Sequence, residues 1–151
     1  MRRFIKGIAT IAAVGVPLLA VSPVAAAGAT NFSLSGRITG GVRSVAPGDH
    51  ITFEFTEKNK GSQTAYEDLV LESVASVNVR SISCVLPNGS VFNPDGNFCE
   101  PGGVRPGQAS SMVVNAVVTN GGPKVTARVC LDNESTGKVG PCLTVSVKNV
   151  G

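Results

Sequence analysis

The stretch Ala46–Gly61, APGDHITFEFTEKNKG, decides the fold. Pro47-Gly48 opens it as a turn pair, with Pro presetting φ and Gly supplying the φ > 0 position of a type II turn. Strict alternation follows: Ile51, Phe53 and Phe55 on one face, His50, Thr52, Glu54 and Thr56 on the other. Asn59-Lys60-Gly61 closes it with a second turn signal. A period of two between two stops is the pattern of a half-buried strand. The same stretch carries the single His of the chain, so it is also where a search for catalysis starts.

Outward from that strand, the pattern recurs. Phe32, Leu34 and Ile38 alternate with Ser33, Ser35 and Arg37, and Gly40-Gly41 ends the run. Leu69 and Leu71 begin a third apolar stretch after the polar connection Ser62–Glu67. Val77 and Val79 lead to Ile82, Cys84 and Leu86, with a phase change near Arg80-Ser81 that predicts a bulge or a break. Arg105-Pro106-Gly107 repeats the turn-then-strand design and leads into Met112, Val114, Ala116 and Val118. Asn120-Gly121-Gly122-Pro123 turns the chain toward Val125, Ala127, Val129 and Leu131. After a polar hairpin loop over Asp132–Pro141, Leu143, Val145 and Val147 form the last run. About seven short strands with regular turn signals predict an all-β, immunoglobulin-like sandwich.

The first 27 residues read differently. Arg2, Arg3 and Lys6 make a charged head, Ile8–Val21 an apolar run and Val24–Ala27 a small-residue exit. That is the layout of a helical secretory signal peptide, with an apolar run too short for a comfortable membrane span. The division expected is 1–27 signal peptide and 28–151 one sandwich domain, exported and with no membrane span in the mature chain. Three of the 13 Lys and Arg lie in the head, which leaves ten against ten Asp and Glu. The rest of the chain is therefore near neutral, its cations look scattered singly, and nothing points to nucleic acid.

All four cysteines fall after the leader, so disulfides are the expectation. Cys130 and Cys142 share the non-core phase of consecutive strands and can meet across the hairpin. Cys84 and Cys99 then pair by exclusion and staple the turn-rich loop Pro87–Val104, PNGSVFNPDGNFCEPGGV. Both bridges read as local staples, unlike the inter-sheet bridge of antibody domains. Zinc is not expected: there is no C-x-x-C, and the His lies elsewhere.

Catalytic candidates are thin. His50 has no partner motif such as G-x-S-x-G and reads as an exposed strand-edge residue. Glu54 and Glu57 face opposite sides of a strand and cannot act as a pair. Glu67 and Asp68 read as surface carboxylates. Asn31, Asn88 and Asn133, each two residues before a Ser, read as turn residues. The expectation is a protein that is no enzyme and needs no cofactor or metal.

PGDHITFEFTEKNKG, followed by Ala65 and Leu69–Glu72, together with VRPGQASSMVVNAVV at Val104–Val118, resembles the DUF11/CARDB type of secreted bacterial Ig-like module. The resemblance spans Val45–Val147. It departs at Glu72–Ala75, where those families often place Asp, a hydrophobic residue and Pro. It implies an adhesion, spacer or assembly role toward a protein or envelope component, with no catalytic residues to carry over.

The surface expected to make contact is the stapled loop Asn88–Arg105, with Val91, Phe92 and Phe98 as apolar anchors and Arg105 at its end. The alternative for those side chains is to cap the end of the core. A second functional reading is a small-molecule carrier resembling the actinomycete apo-chromoproteins, which are also secreted two-disulfide sandwiches. An apolar cleft between the sheets would favour the carrier.

Overall fold

A computed structural model describes residues 31–133 and 136–151; the expected signal peptide lies outside the described residues. The elements are β1 (Phe32–Ile38), β2 (Ser44–Val45), β3 (His50–Asn59), β4 (Asp68–Ala75), β5 (Val77–Val85), β6 (Val91–Phe92), β7 (Phe98–Cys99), β8 (Ala109–Val118), β9 (Lys124–Asn133) and β10 (Lys138–Asn149). They form two five-stranded sheets, β1-β3-β8-β5-β6 and β2-β10-β9-β4-β7. Without the three two-residue strands, the long ones run β1-β3-β8-β5 over β10-β9-β4. This is the ABED-over-GFC arrangement of an immunoglobulin constant-type sandwich. No helix among the described residues is long and apolar enough to cross a membrane.

The alternation in sequence becomes the core. Ile51, Phe53 and Phe55 of β3, Met112, Val114, Ala116 and Val118 of β8, and Val125, Ala127, Val129 and Leu131 of β9 are all buried in one cluster. Phe53 lies opposite Val114 and Phe55 opposite Met112, so the two central strands of the first sheet present their large side chains in register. Both Pro-Gly turns close as their residues require. Asp49 N–H donates to Ala46 O at 3.0 Å, Gln108 N–H donates to Arg105 O at 3.0 Å, and Gly48 and Gly107 hold φ of 95° and 79°.

β1 reaches across to β10 through a residue chosen for what it lacks. Gly36 occupies the inward phase of β1, opposite Phe55. A Cβ there would stand 2.7 Å from Val145 Cγ2 and 2.9 Å from Phe55 Cδ1. A side chain at Gly36 would force Val145, Phe55 or β1 itself to shift.

The phase change near Arg80-Ser81 is a bulge in β5, where pairing with β8 shifts between Val79 and Ser81. The polar hairpin loop is shorter than the sequence suggests: β9 runs on to Asn133 and β10 starts at Lys138. The irregularity sits inside β10, between Val139 and Cys142, where the register with β9 slips.

Candidate functional site

The turn-rich segment after β5 is a passage from one sheet to the other. Leu86 N–H donates to Ser90 O at 2.8 Å, and Asn88 Oδ1 accepts from Ser90 N–H at 2.8 Å. These contacts tighten a hairpin that brings Val91 opposite Val85 and Phe92 opposite Cys84. The chain then leaves the first sheet. Asn97 clamps it to the second: its backbone accepts from Leu71 N–H at 2.7 Å and its side-chain amide donates to Leu71 O at 2.8 Å. β7 follows along β4, with Phe98 opposite Val70 and Cys99 opposite Leu69.

Both expected disulfides form, Cys84–Cys99 and Cys130–Cys142, and no described cysteine is free. Cys130 and Cys142 are directly opposed on β9 and β10, as their phase predicts. The other bridge is not the local staple expected. Cys84 belongs to the first sheet and Cys99 to the second, and both are buried in the core cluster. Fifteen residues apart in sequence, they tie the two sheets together at their shared edge. The reason is topological: β6 and β7 each add only two residues, but to different sheets.

The anchors predicted on this segment stand around that edge. Val91 is 63% exposed, Phe98 41% and Phe92 36%, and Tyr66, at the entry to β4, is 62% exposed. Pairing sets their directions. Phe92 opposes the buried Cys84 and so leans to the inner side at the open edge, while Val91 takes the outer phase. Phe98 takes the outer phase of the second sheet, beside the buried Cys99, and flanks Gly96. The three therefore wrap the edge as a ridge and do not share one flat face. Arg105 is exposed in the turn before β8, at the same end of the sandwich but off the ridge. Tyr66, which sequence reading passed over, lies against Gly103.

Behind the ridge, the same end of the core holds polar residues. The inward phase of β3 does not stop at Phe55; it continues through Glu57 and Asn59, both fully buried. Asn59 is satisfied. Its amide donates to Gln63 O at 2.8 Å and Val104 O at 2.7 Å, and its Oδ1 accepts from Gly61 N–H at 2.8 Å. Glu57 is not. Ser110 Oγ donates to Oε1, while Oε2 is buried without a partner. Loss of hydration pushes the Glu57 carboxyl up to about 7; the Ser110 hydrogen bond opposes this, and the negative charges of Glu67 and Asp68 add to it. Glu67 is itself no surface carboxylate. It is 6% exposed and accepts from Asn133 Nδ2 at 2.8 Å.

His50 is exposed at the first position of β3, and its neighbour Asp49 accepts from Ala46 N–H at 2.8 Å. The outward Glu54 pairs with Arg37 at 2.6 Å. Glu72, Cys130 and Cys142 bring three metal-type donors together, but both sulfurs are in a disulfide and neither is a thiolate.

No family model and no curated protein matches the chain. Among solved structures, the N-terminal domain of PorA aligns at TM-score 0.49 and 12% identity, over 79% of this chain and 98% of that one. AvmM, which catalyses macrocyclization in alchivemycin A biosynthesis, aligns at 0.46 and 10%, over 77% and 88%. A family 123 glycoside hydrolase from Clostridium perfringens aligns at 0.45 and 9%, over 78% of this chain and 27% of the enzyme. Likeness at this level carries no argument about what the chain does.

Proposed function

We propose that the protein is an exported, non-catalytic contact module that binds a protein or envelope component through the ridge Val91–Phe98. The observation that carries this reading is the pairing of exposure with rigidity. Val91, Phe92 and Phe98 are held out by two short strands whose positions are fixed by the buried Cys84–Cys99 bridge. Apolar side chains on a pre-ordered segment bind at little entropic cost, because the segment is already in its bound shape. The space between the sheets supports the same reading over a carrier. Phe53, Phe55, Leu69, Met112 and Leu131 fill it and are all fully buried. The resemblance to DUF11/CARDB modules points the same way, and two formed disulfides suit an oxidising compartment.

The test is saturable binding of the labelled protein to envelope preparations of its own source cells. A Phe92→Ser/Phe98→Ser double variant that keeps the wild-type melting temperature is expected to lose that binding. Equal binding by wild type and variant would remove the ridge as the contact surface.

A further inference from the structure

The opposite end of the second sheet carries a feature that the scattered cations of the sequence conceal. Arg43, Lys124 and Lys148 converge on an open groove of about 640 Å³, whose other lining includes Val42, Pro123 and Ser146. They come from three places: the segment before β2, the start of β9 and the end of β10. The parallel pairing of Ser44 with Lys148 and the antiparallel pairing of Lys148 with Lys124 bring them together.

Lys124 and Lys148 are directly opposed, an arrangement in which like charges destabilise a strand pair. No carboxylate lines the groove, and none of the three cations forms an ion pair among the described residues. Two outward arginines elsewhere have partners, Arg37 in Glu54 and Arg128 in Glu72, whereas Lys58, Arg80 and Lys138 stand singly among the described residues, so what sets the groove apart is three unpaired cations brought to one place. The groove is therefore a local excess of positive charge in a chain that is near neutral after its leader.

We propose that this groove is a binding site for a small phosphate-bearing organic ligand. Three cations match the double charge and several oxygens of a phosphate better than a single carboxylate. An arginine adds a planar fork suited to two of those oxygens. The exposed Val42 and Pro123 form an apolar shelf for the organic body, and the volume lies in the range of small-molecule sites. A bound anion would also relieve the repulsion between the two lysines. The proposal does not rest on the contact reading: the groove lies at the Lys124 end of β9 and the ridge near its Leu131 end, roughly 23 Å apart along the strand.

The test is titration of the protein in low-salt buffer, followed by backbone amide shifts. Phenyl phosphate and benzoate, which share one apolar body, are the probes. Phenyl phosphate is expected to give saturable shifts confined to residues 42–44, 124–125 and 146–149. It is expected to bind at least about tenfold more tightly than benzoate and to weaken as salt is raised. A Lys124→Gln/Lys148→Gln variant, and separately Arg43→Gln, should lose the binding. The lysine variant should melt at or above the wild-type temperature, because a repulsive pair has been removed. Absence of saturation, shifts elsewhere, equal affinity for benzoate, or unchanged binding by the variants would overturn the proposal. Tighter binding of a short single-stranded oligonucleotide, with shifts spreading beyond the groove, would also overturn it in favour of a polymer.

Discussion

Replacing Glu57 with Gln should remove most of the pH dependence of stability between pH 5 and 8. The carboxyl rises from 4.5 to about 7 on folding, because burial disfavours its charged form. A raised acid is neutral in the fold when the unfolded chain has already ionised, so its contribution to stability is complete below about 4.5 and is lost as pH rises through about 7. A shift of that size corresponds to about 3 kcal/mol in all, most of which falls between pH 5 and 8. In a domain of roughly 120 residues, 1 kcal/mol moves Tm by about 4 °C, so the wild type should lose about 10 °C more than Glu57→Gln over that interval. Thermal and guanidinium denaturation of both proteins at pH 5 and pH 8 give the difference of differences. This cancels any fixed cost of the buried amide. Parallel pH profiles for the two proteins would refute the reasoning, since Oε2 would then have to be solvated or paired in solution.

Gly36→Ala should destabilise the fold by about 1–3 kcal/mol in guanidinium titration, because the new methyl meets Val145 and Phe55 at less than contact distance. Asn59→Ala should cost about 3 kcal/mol by the same measurement, since it removes three side-chain hydrogen bonds at once, those donated to Gln63 O and Val104 O and the one accepted from Gly61 N–H. Mild reduction of the folded protein followed by thiol labelling should open Cys130–Cys142 before Cys84–Cys99: Cys142 is partly exposed, while both sulfurs of the inter-sheet bridge lie in the core.

Much of this architecture is legible in the sequence because strand periodicity is a local signal. Ile51-Phe53-Phe55 and Val125-Ala127-Val129-Leu131 announce their faces without reference to any partner, and the turn pairs at Pro47-Gly48 and Pro106-Gly107 announce where strands start. The pairing of Cys130 with Cys142 follows from the same phase. What resists reading is whatever depends on contacts distant in sequence or on a residue type that contradicts its position. Glu57 and Asn59 continue the buried phase of β3, yet Asn59 reads as turn chemistry and Glu57 only as facing away from Glu54, because a carboxylate and an amide contradict a core position; the unbroken period of two is the available signal. Gly36 hides likewise, as a gap in the apolar face of β1. Cys84 and Cys99 look local because their separation is short, and only the assignment of β6 and β7 to different sheets makes their bridge span the core. Arg43, Lys124 and Lys148 are far apart in the chain, and only strand pairing turns them into a patch.

Contact through the ridge at the bridged edge leaves a direct mark on backbone exchange. Amide hydrogen exchange on the folded protein, alone and with envelope preparations of its source cells, measures this most directly. Protection is expected at residues 89–98 and around Tyr66, while the Pro-Gly turn at Ala46–Asp49 exchanges as before. Protection confined to the far end of the sandwich, or to the free edge of β1, would contradict contact through the ridge.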